Sequence, residues 1–261
     1  MSGFSIAWLD LREPADRAAR DKTLAAKALA MLANNSAPLV VDLGSGTGST
    51  LRALQGLPTR PLTWRLLDHD AALLAEAMRR HAHELRLSIH EVDLMQVATL
   101  PLQQANLVSA SALFDLVSED FIARLCARIT AQGSGLYVAL NYDGAMRWQP
   151  AHPLDEHVLE AFNRDQRRDK GFGPALGPAA TQVLSQHLQA AGYRVETAAS
   201  PWQLGPEAAA MVTALITGIA EAVRTSLGDT ATTQWQDFRL QHVQEGHCFV
   251  GHTDLLALPA Q

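Results

Sequence analysis

The stretch Val40-Val41-Asp42-Leu43-Gly44-Ser45-Gly46-Thr47-Gly48-Ser49-Thr50, VVDLGSGTGST, decides how this chain is read. An apolar run stops at an acid, and three glycines follow at every second position. Residues 38–43 have the length and composition of a buried strand, and residues 49–56 suit a helix closed by Gly56 and Pro58. A glycine turn between a strand and a helix is a ligand-binding turn in open α/β sheets. A phosphate cradle of the Walker type requires a lysine after the last glycine, and here Ser49 and Thr50 follow Gly48. The dinucleotide fingerprint G-x-G-x-x-G requires wider spacing than the G-x-G-x-G present, which weakens an NAD reading without removing it.

Asp42 narrows the choice. A carboxylate at the strand end repels phosphate and favours a cation or a hydrogen-bond donor. The N–H groups that open the next helix favour an anion. A ligand with an ammonium and a carboxylate side by side satisfies both, and the methionine part of S-adenosylmethionine is such a ligand.

Further along, strands alternate with helices. Strands are expected at 63–67, at 85–92 (Leu85, Leu87, Ile89, Val92), at 105–110 and at 136–140. The last of these closes at Asn141-Tyr142-Asp143-Gly144. Helices are expected at 14–33 starting at Pro14, at 71–83 and at 119–129. This alternation predicts a parallel sheet with helices on both faces. The second half is less regular. It contains a helix at 154–168, a Gly/Pro-rich loop, a helix at 179–191 and a strand at 193–198. An amphipathic helix at 206–227, a helix at 233–244 and a long final strand at 246–258 follow.

The chain resembles the class I S-adenosylmethionine-dependent methyltransferases over residues 38–142, through VVDLGSGTGSTLRAL, RLLDHDAALLAEA, HEVDL and ANLVSASALFDLVS. The resemblance implies a doubly wound α/β fold. Its sheet is mainly parallel and seven-stranded, with an antiparallel last strand. It implies S-adenosylmethionine as cofactor. Asp42, Gly44, Ser45, Gly46, Thr47 and Gly48 would form the first motif. Asp68 would take the ribose hydroxyls with His69 beside it, and Asp93 and Leu94 would flank adenine. Ser109 and Ala110 would lie beneath the methionine. Asp70 reads as a helix cap.

The acceptor is less legible, because displacement at an activated sulfonium demands alignment more than particular side chains. Asn141, Tyr142 and Asp115 are the catalytic candidates, with Asp115 equally able to cap a helix. Phe114, Trp148, Arg167, Lys170 and Phe172 are the candidate acceptor contacts. The basic run from Arg164 to Lys170 suits an anionic acceptor or a solvated helix face. The segment Ser-Ala-Ser-Ala-Leu-Phe lacks the paired prolines of the nucleic-acid amino-methylating members, so no DNA partner is expected. The expected organisation is one domain over 1–261. It has an N-terminal helical segment (1–37), a cofactor core (38–145), and insertions at 146–177 and 204–245 that form a substrate cap. The expected activity is methyl transfer to a small or medium organic acceptor. Action on protein or RNA, a non-catalytic cofactor-binding subunit and an NAD-dependent dehydrogenase are the alternatives.

Composition agrees. With 48% hydrophobic and 18% charged residues there is ample core material. A net charge of −6 removes a bulk basic field for nucleic acid. Cys126 and Cys248 show neither zinc spacing nor a disulfide framework, so no metal is expected. No signal peptide is read, and 208–223 reads as too short and polar to span a membrane. A cytoplasmic protein is expected, and the oligomeric state is left open.

Overall fold

The computed structural model describes residues 4–33, 35–55, 61–83 and 86–260. Gly56, Pro58 and Leu85, which figure in the expected boundaries, lie outside them. The elements are α1 (Ile6–Ala19), α2 (Lys22–Ala30), β1 (Leu39–Leu43), α3 (Ser49–Leu54), β2 (Thr63–Asp68), α4 (Ala71–His81), β3 (Arg86–Glu91) and β4 (Leu107–Ser111). They continue with α5 (Glu119–Ala131), β5 (Gly135–Gln149), α6 (Asp155–Asp165), α7 (Ala180–Ala190), β6 (Tyr193–Ala199), β7 (Trp202–Leu204), α8 (Ala209–Leu227), α9 (Asp229–Gln241) and β8 (His247–Pro259).

The sheet runs β3-β2-β1-β4-β5-β8-β6. Its first five strands are parallel, and β8 inserts antiparallel between β5 and β6. This is the expected seven-stranded body, to which the short β7 adds an eighth strand by pairing with β8. Alternation along the strands divides the core by face. Val41, Leu43, Val108, Leu136, Val138 and Leu255 pack with α5 and α7, while Val40, Leu107, Tyr137, Ala139 and Leu256 pack with α2, α3 and α4.

Two boundaries differ from the sequence reading. The expected helix 14–33 is two helices. Ser5 accepts the Trp8 amide at 3.1 Å and starts α1 nine residues before Pro14, which sits inside the helix. Asp21 caps α2 by accepting from Leu24 N at 2.7 Å. Pro14 looked like a first-turn proline, a common position for it, and so concealed the turns before it.

The second difference is β5, which runs through the expected turn at 143–144 to Gln149. It forms a long antiparallel ribbon with β8, broken by register shifts at Val138/Asn141 and Tyr142/Met146. At the first shift Leu140 is left-handed, with φ 60°. Its amide donates to the buried Asp254 at 2.8 Å, and the same carboxylate holds Asp21 N at 2.9 Å. Residues 146–149 of the expected insertion are therefore strand.

The ribbon carries a third core of Trp148, Val158, Trp202, Ile216, Ile219, Trp235 and Val250, contributed by α6, α8, α9 and β7, against which Trp8 and Leu11 of α1 pack. Residues 206–227 have the length and hydropathy of a membrane-crossing helix, and a third of that window is buried. Their Met211, Val212, Ile216, Ile219, Ala220 and Val223 face this core.

Arg239 lies inside it. Its guanidinium donates to both oxygens of Asp155 and to Pro150 O at 2.6 Å, and it stacks 5.1 Å from the Trp148 ring. Trp235 Nε1 donates to the same carboxylate at 2.9 Å. Removing one partner of such a pair strands a buried charge. Asp155→Ala is expected to lower stability by about 3–5 kcal/mol in urea denaturation. The double change Asp155→Leu with Arg239→Met should cost less than the single one.

Candidate functional site

The three glycines of the opening motif adopt left-handed backbone, with φ of 59° at Gly44, 53° at Gly46 and 86° at Gly48. A side chain there costs about 1–2 kcal/mol per residue, which accounts for the alternation of glycine in the motif. The loop is fixed from β2. Ser45 N donates to Leu67 O at 3.1 Å, and Gly46 N donates to Asp68 Oδ2 at 2.8 Å. The other Asp68 oxygen accepts from Asp70 N at 3.0 Å. Each oxygen retains a lone pair for a further donor. Asp70 caps α4, accepting from Ala72 N and Leu73 N at 2.8 and 3.2 Å.

A cavity of ≈ 390 Å³ lies over the carboxyl ends of β1, β2 and β4. Gly44, Ser45, Gly46 and Thr47 line it from the loop, and Asp68, His69 and Leu73 from the β2 end. Leu94 follows β3, and Ser111, Ala112 and Leu113 follow β4. Phe4, Leu9, Arg12 and Asp16 form the roof, and Asp169, Lys170 and Phe172 close one side. This is the crevice in which open α/β sheets bind ligands.

Several expected residues fall one layer away. Asp42 is 1% exposed and lies under the loop. Its Oδ1 accepts from Ser109 Oγ at 2.6 Å, and Oδ2 has no partner among the described residues. Burial pushes its carboxyl up to about 7, against the opposing pull of Ser109 and Arg20. Asp42 and Ser109 are thus not cavity walls. Their polarity reaches the cavity through Thr50 and Ser111, which lie 3.0 Å apart and line it. Arg20 Nη2 donates to Ser111 Oγ at 2.7 Å. Ala110 is also beneath the floor, because β4 runs on to Ser111. Gly48 caps α3 outside the wall. Asp93 points to solvent and bonds Met95 N at 2.9 Å, leaving its neighbour Leu94 in the wall.

On the acceptor side, Lys170 and Phe172 line the cavity as expected residues, whereas Arg167 is exposed outside it. The basic run is partly paired within itself. Arg168 and Lys170 both pair with Asp165, at 3.3 and 2.8 Å. Phe114 is buried in the core beside α5. Ser118, not Asp115, caps α5. Asp115 is buried between the lining residues Leu113 and Leu116, and its Oδ1 has no partner among the described residues. Burial raises its carboxyl to about 6, opposed by its own backbone N–H, Arg12 and Lys170. Asn141 is fully buried with both amide atoms unpartnered among the described residues. The Tyr142 hydroxyl donates to Asn163 at 2.9 Å, and its ring packs on Phe162 and His252 in the third core. Trp148 sits far along the ribbon, where a separate groove of ≈ 770 Å³ shares no wall with the cavity. No cluster of three or more His, Cys, Asp or Glu suited to a metal occurs among the described residues.

The α1 roof is the part that sequence reasoning missed. The signal was there: Ser5 in a capping position, then Leu9, Arg12 and Asp16 spaced along one helical face.

No protein-family model matches the chain, and no curated protein sequence matches it. Solved structures do. A Geobacter sulfurreducens S-adenosylmethionine-dependent methyltransferase, solved with S-adenosyl-L-homocysteine, is 16% identical over 100% of both chains with a TM-score of 0.50. A Bacillus halodurans protein described as a methyltransferase is 14% identical over 90% of this chain and 99% of its own, with a TM-score of 0.52. The YcgJ protein of Bacillus subtilis is 10% identical over 92% and 100%, also with a TM-score of 0.52. The chain has the class I methyltransferase fold. In that fold the cavity lies where the glycine loop meets the ends of β2 and β4.

Asp42 supplies a test of the floor. The unfolded carboxyl ionises near 4 and the folded one near 7, so the unfolded state loses its proton first. Stability is therefore expected to fall between pH 4 and 7 and level off above. Asp42→Asn should remove that decline, gaining up to roughly 3–4 kcal/mol at pH 8 and little at pH 4. Urea titrations at the two pH values check this.

Proposed function

We propose that this chain binds S-adenosylmethionine in the glycine-loop cavity and directs its methyl group to a small or medium organic acceptor. The observation that carries the reading is the joining of Gly44–Thr47, Asp68 and Leu94 in the wall of one cavity. The residues present fit the cofactor. Gly44 leaves a cradle whose missing side chain would meet Leu113 at 3.5 Å and Leu94 at 4.0 Å. Asp68, fixed by two backbone N–H groups, keeps acceptor capacity for ribose hydroxyls, with His69 at the rim. Leu73 and Leu94 offer apolar walls to adenine. The loop, with Thr50 and Ser111, faces the methionine end.

When bound, S-adenosylmethionine supplies a methyl group on a sulfonium that is already activated. The protein's part is alignment and exclusion of water. Phe4, Leu9 and Phe172 close the cavity over its polar floor. Where the acceptor must lose a proton, Asp115, buried between the lining residues Leu113 and Leu116 with one oxygen unpartnered among the described residues, is the candidate to take it. A cavity roofed by a helix favours a small acceptor over a macromolecule.

Calorimetry tests the cofactor. S-adenosylhomocysteine is expected to bind and NAD is not, and Asp68→Ala should weaken binding by about tenfold or more, the scale of losing charge-assisted bonds. Equal affinity in that variant would sink the ribose assignment. Profiling methyl acceptors among cell metabolites tests the reaction. With an acceptor in hand, the rate is expected to fall as the pH drops through about 6, where Asp115 gains its proton, and Asp115→Asn should lose that dependence.

A further inference from the structure

Arg52 of α3 uses its entire guanidinium between the glycine loop and the roof. Nε donates to Glu13 Oε1 and Nη2 to Glu13 Oε2, both at 2.5 Å. Nη2 also donates to Thr47 Oγ1 at 3.1 Å, and Nη1 donates to Thr47 O at 2.5 Å. Nη1 lies 3.0 Å from His81 Nε2, which must be the acceptor because a guanidinium only donates. Five N–H donors meet five acceptors on three elements. The side chains of Arg52 and Glu13 are 17% and 23% exposed, so solvent screens the pair only in part.

Beside the packing of Trp8 and Leu11 on the third core, polar side chains tie α1 to distant elements. Asp10 pairs with Arg80 at 2.7 and 2.9 Å, Glu13 with Arg52, and Asp16 accepts from Trp202 Nε1 at 2.9 Å. Only the middle one reaches the glycine loop. Between them Leu9 lies over Gly46, where an added Cβ would approach Leu9 Cδ1 to 3.2 Å. Leu9 of the roof therefore lies over the loop against which the ligand would sit.

We infer that Arg52 is a positioning residue that couples the seating of the ligand on the glycine loop to the docking of α1. It fixes the Thr47 carbonyl and hydroxyl on one side and clasps Glu13 on the other. Ligand held against the loop favours the closed roof, and the closed roof favours the loop geometry that holds ligand. This coupling is reciprocal by thermodynamic necessity. The planar fork matters, since a lysine ammonium has three donors at one point and cannot serve both partners.

The inference rests on the cofactor reading above, and the test separates the two. S-adenosylhomocysteine is titrated calorimetrically into wild type, Glu13→Gln, Arg52→Lys and Asp10→Asn, and amide hydrogen exchange of residues 6–19 is followed with and without it. In wild type the ligand is expected to protect α1. Glu13→Gln leaves the Arg52 contacts to Thr47 and His81 in place, which preserves the fold. It should weaken affinity about five- to tenfold and abolish most of the added protection, while Arg52→Lys should weaken affinity more. Asp10→Asn should lose less, because its pair pins the helix without touching the loop. Wild-type affinity in Glu13→Gln, or a loss in Asp10→Asn as large as in Glu13→Gln, overturns the coupling. Failure of wild type to bind S-adenosylhomocysteine overturns the cofactor reading instead.

Discussion

The bond from the Gly46 amide to Asp68 joins the two strand ends on which the cavity is built. Left-handed backbone at Gly44 and Gly46 turns the loop so that this amide faces β2, and the carboxylate completes the join. A loop with free glycines loses much conformational entropy on ordering. Asp68 offsets part of that loss with a charge-assisted bond, the stronger kind. The join sets the height of Thr47, whose carbonyl Arg52 grips, and so the height at which α1 rests. Floor, wall and roof thus share one reference point.

The floor shows a second constraint, the treatment of buried charge. Asp42 and Asp115 are both driven toward their protonated forms by burial, and His252, 5% exposed beside Trp202, is lowered to about 3 for the same reason. These three buried groups therefore tend to neutrality, whereas charged side chains in the cavity wall are bonded: Arg12 to Asp16 at 2.8 and 3.2 Å, Lys170 to Asp165, and Asp68 to the Gly46 and Asp70 amides.

Much of this was legible in the sequence, and the gaps have physical causes. The strand–glycine–helix unit, the alternation of the first five strands with helices and the capping role of Asp70 are local properties, written in periodicity, glycine spacing and an N-cap. Asp42 and Asp93 were read as ligand groups because they stand at strand ends, yet a strand end has two faces. Asp42 turns into the layer below, toward Ser109, and Asp93 outward to cap its own turn at Met95. Trp148 was read into a cap because a turn was expected at Asp143-Gly144. There the chain instead bulges against β8, with Gly251 leaving room for the Asp143 carboxylate, whose Oδ1 lies 2.1 Å from where its Cβ would be. Such a partner, more than a hundred residues away, leaves no local signal.

The roof was missed for a related reason, and it bears on how the site works. Viewed alone, α1 is a polar helix with a proline in its middle and no strong apolar stripe. It is tied to the body by the packing of Trp8 and Leu11 on the third core and by Asp10, Glu13 and Asp16, each matched to a donor on a distant element. Lifting an element docked by burial re-exposes apolar area at about 25 cal/mol per Å². An element docked by ion pairs at a partly exposed rim exchanges those pairs for water at little net cost. The charged face that conceals α1 from a hydrophobicity pattern meets the site along the edge of Asp10 and Glu13, where the Arg52 clasp is the contact that touches the loop beneath.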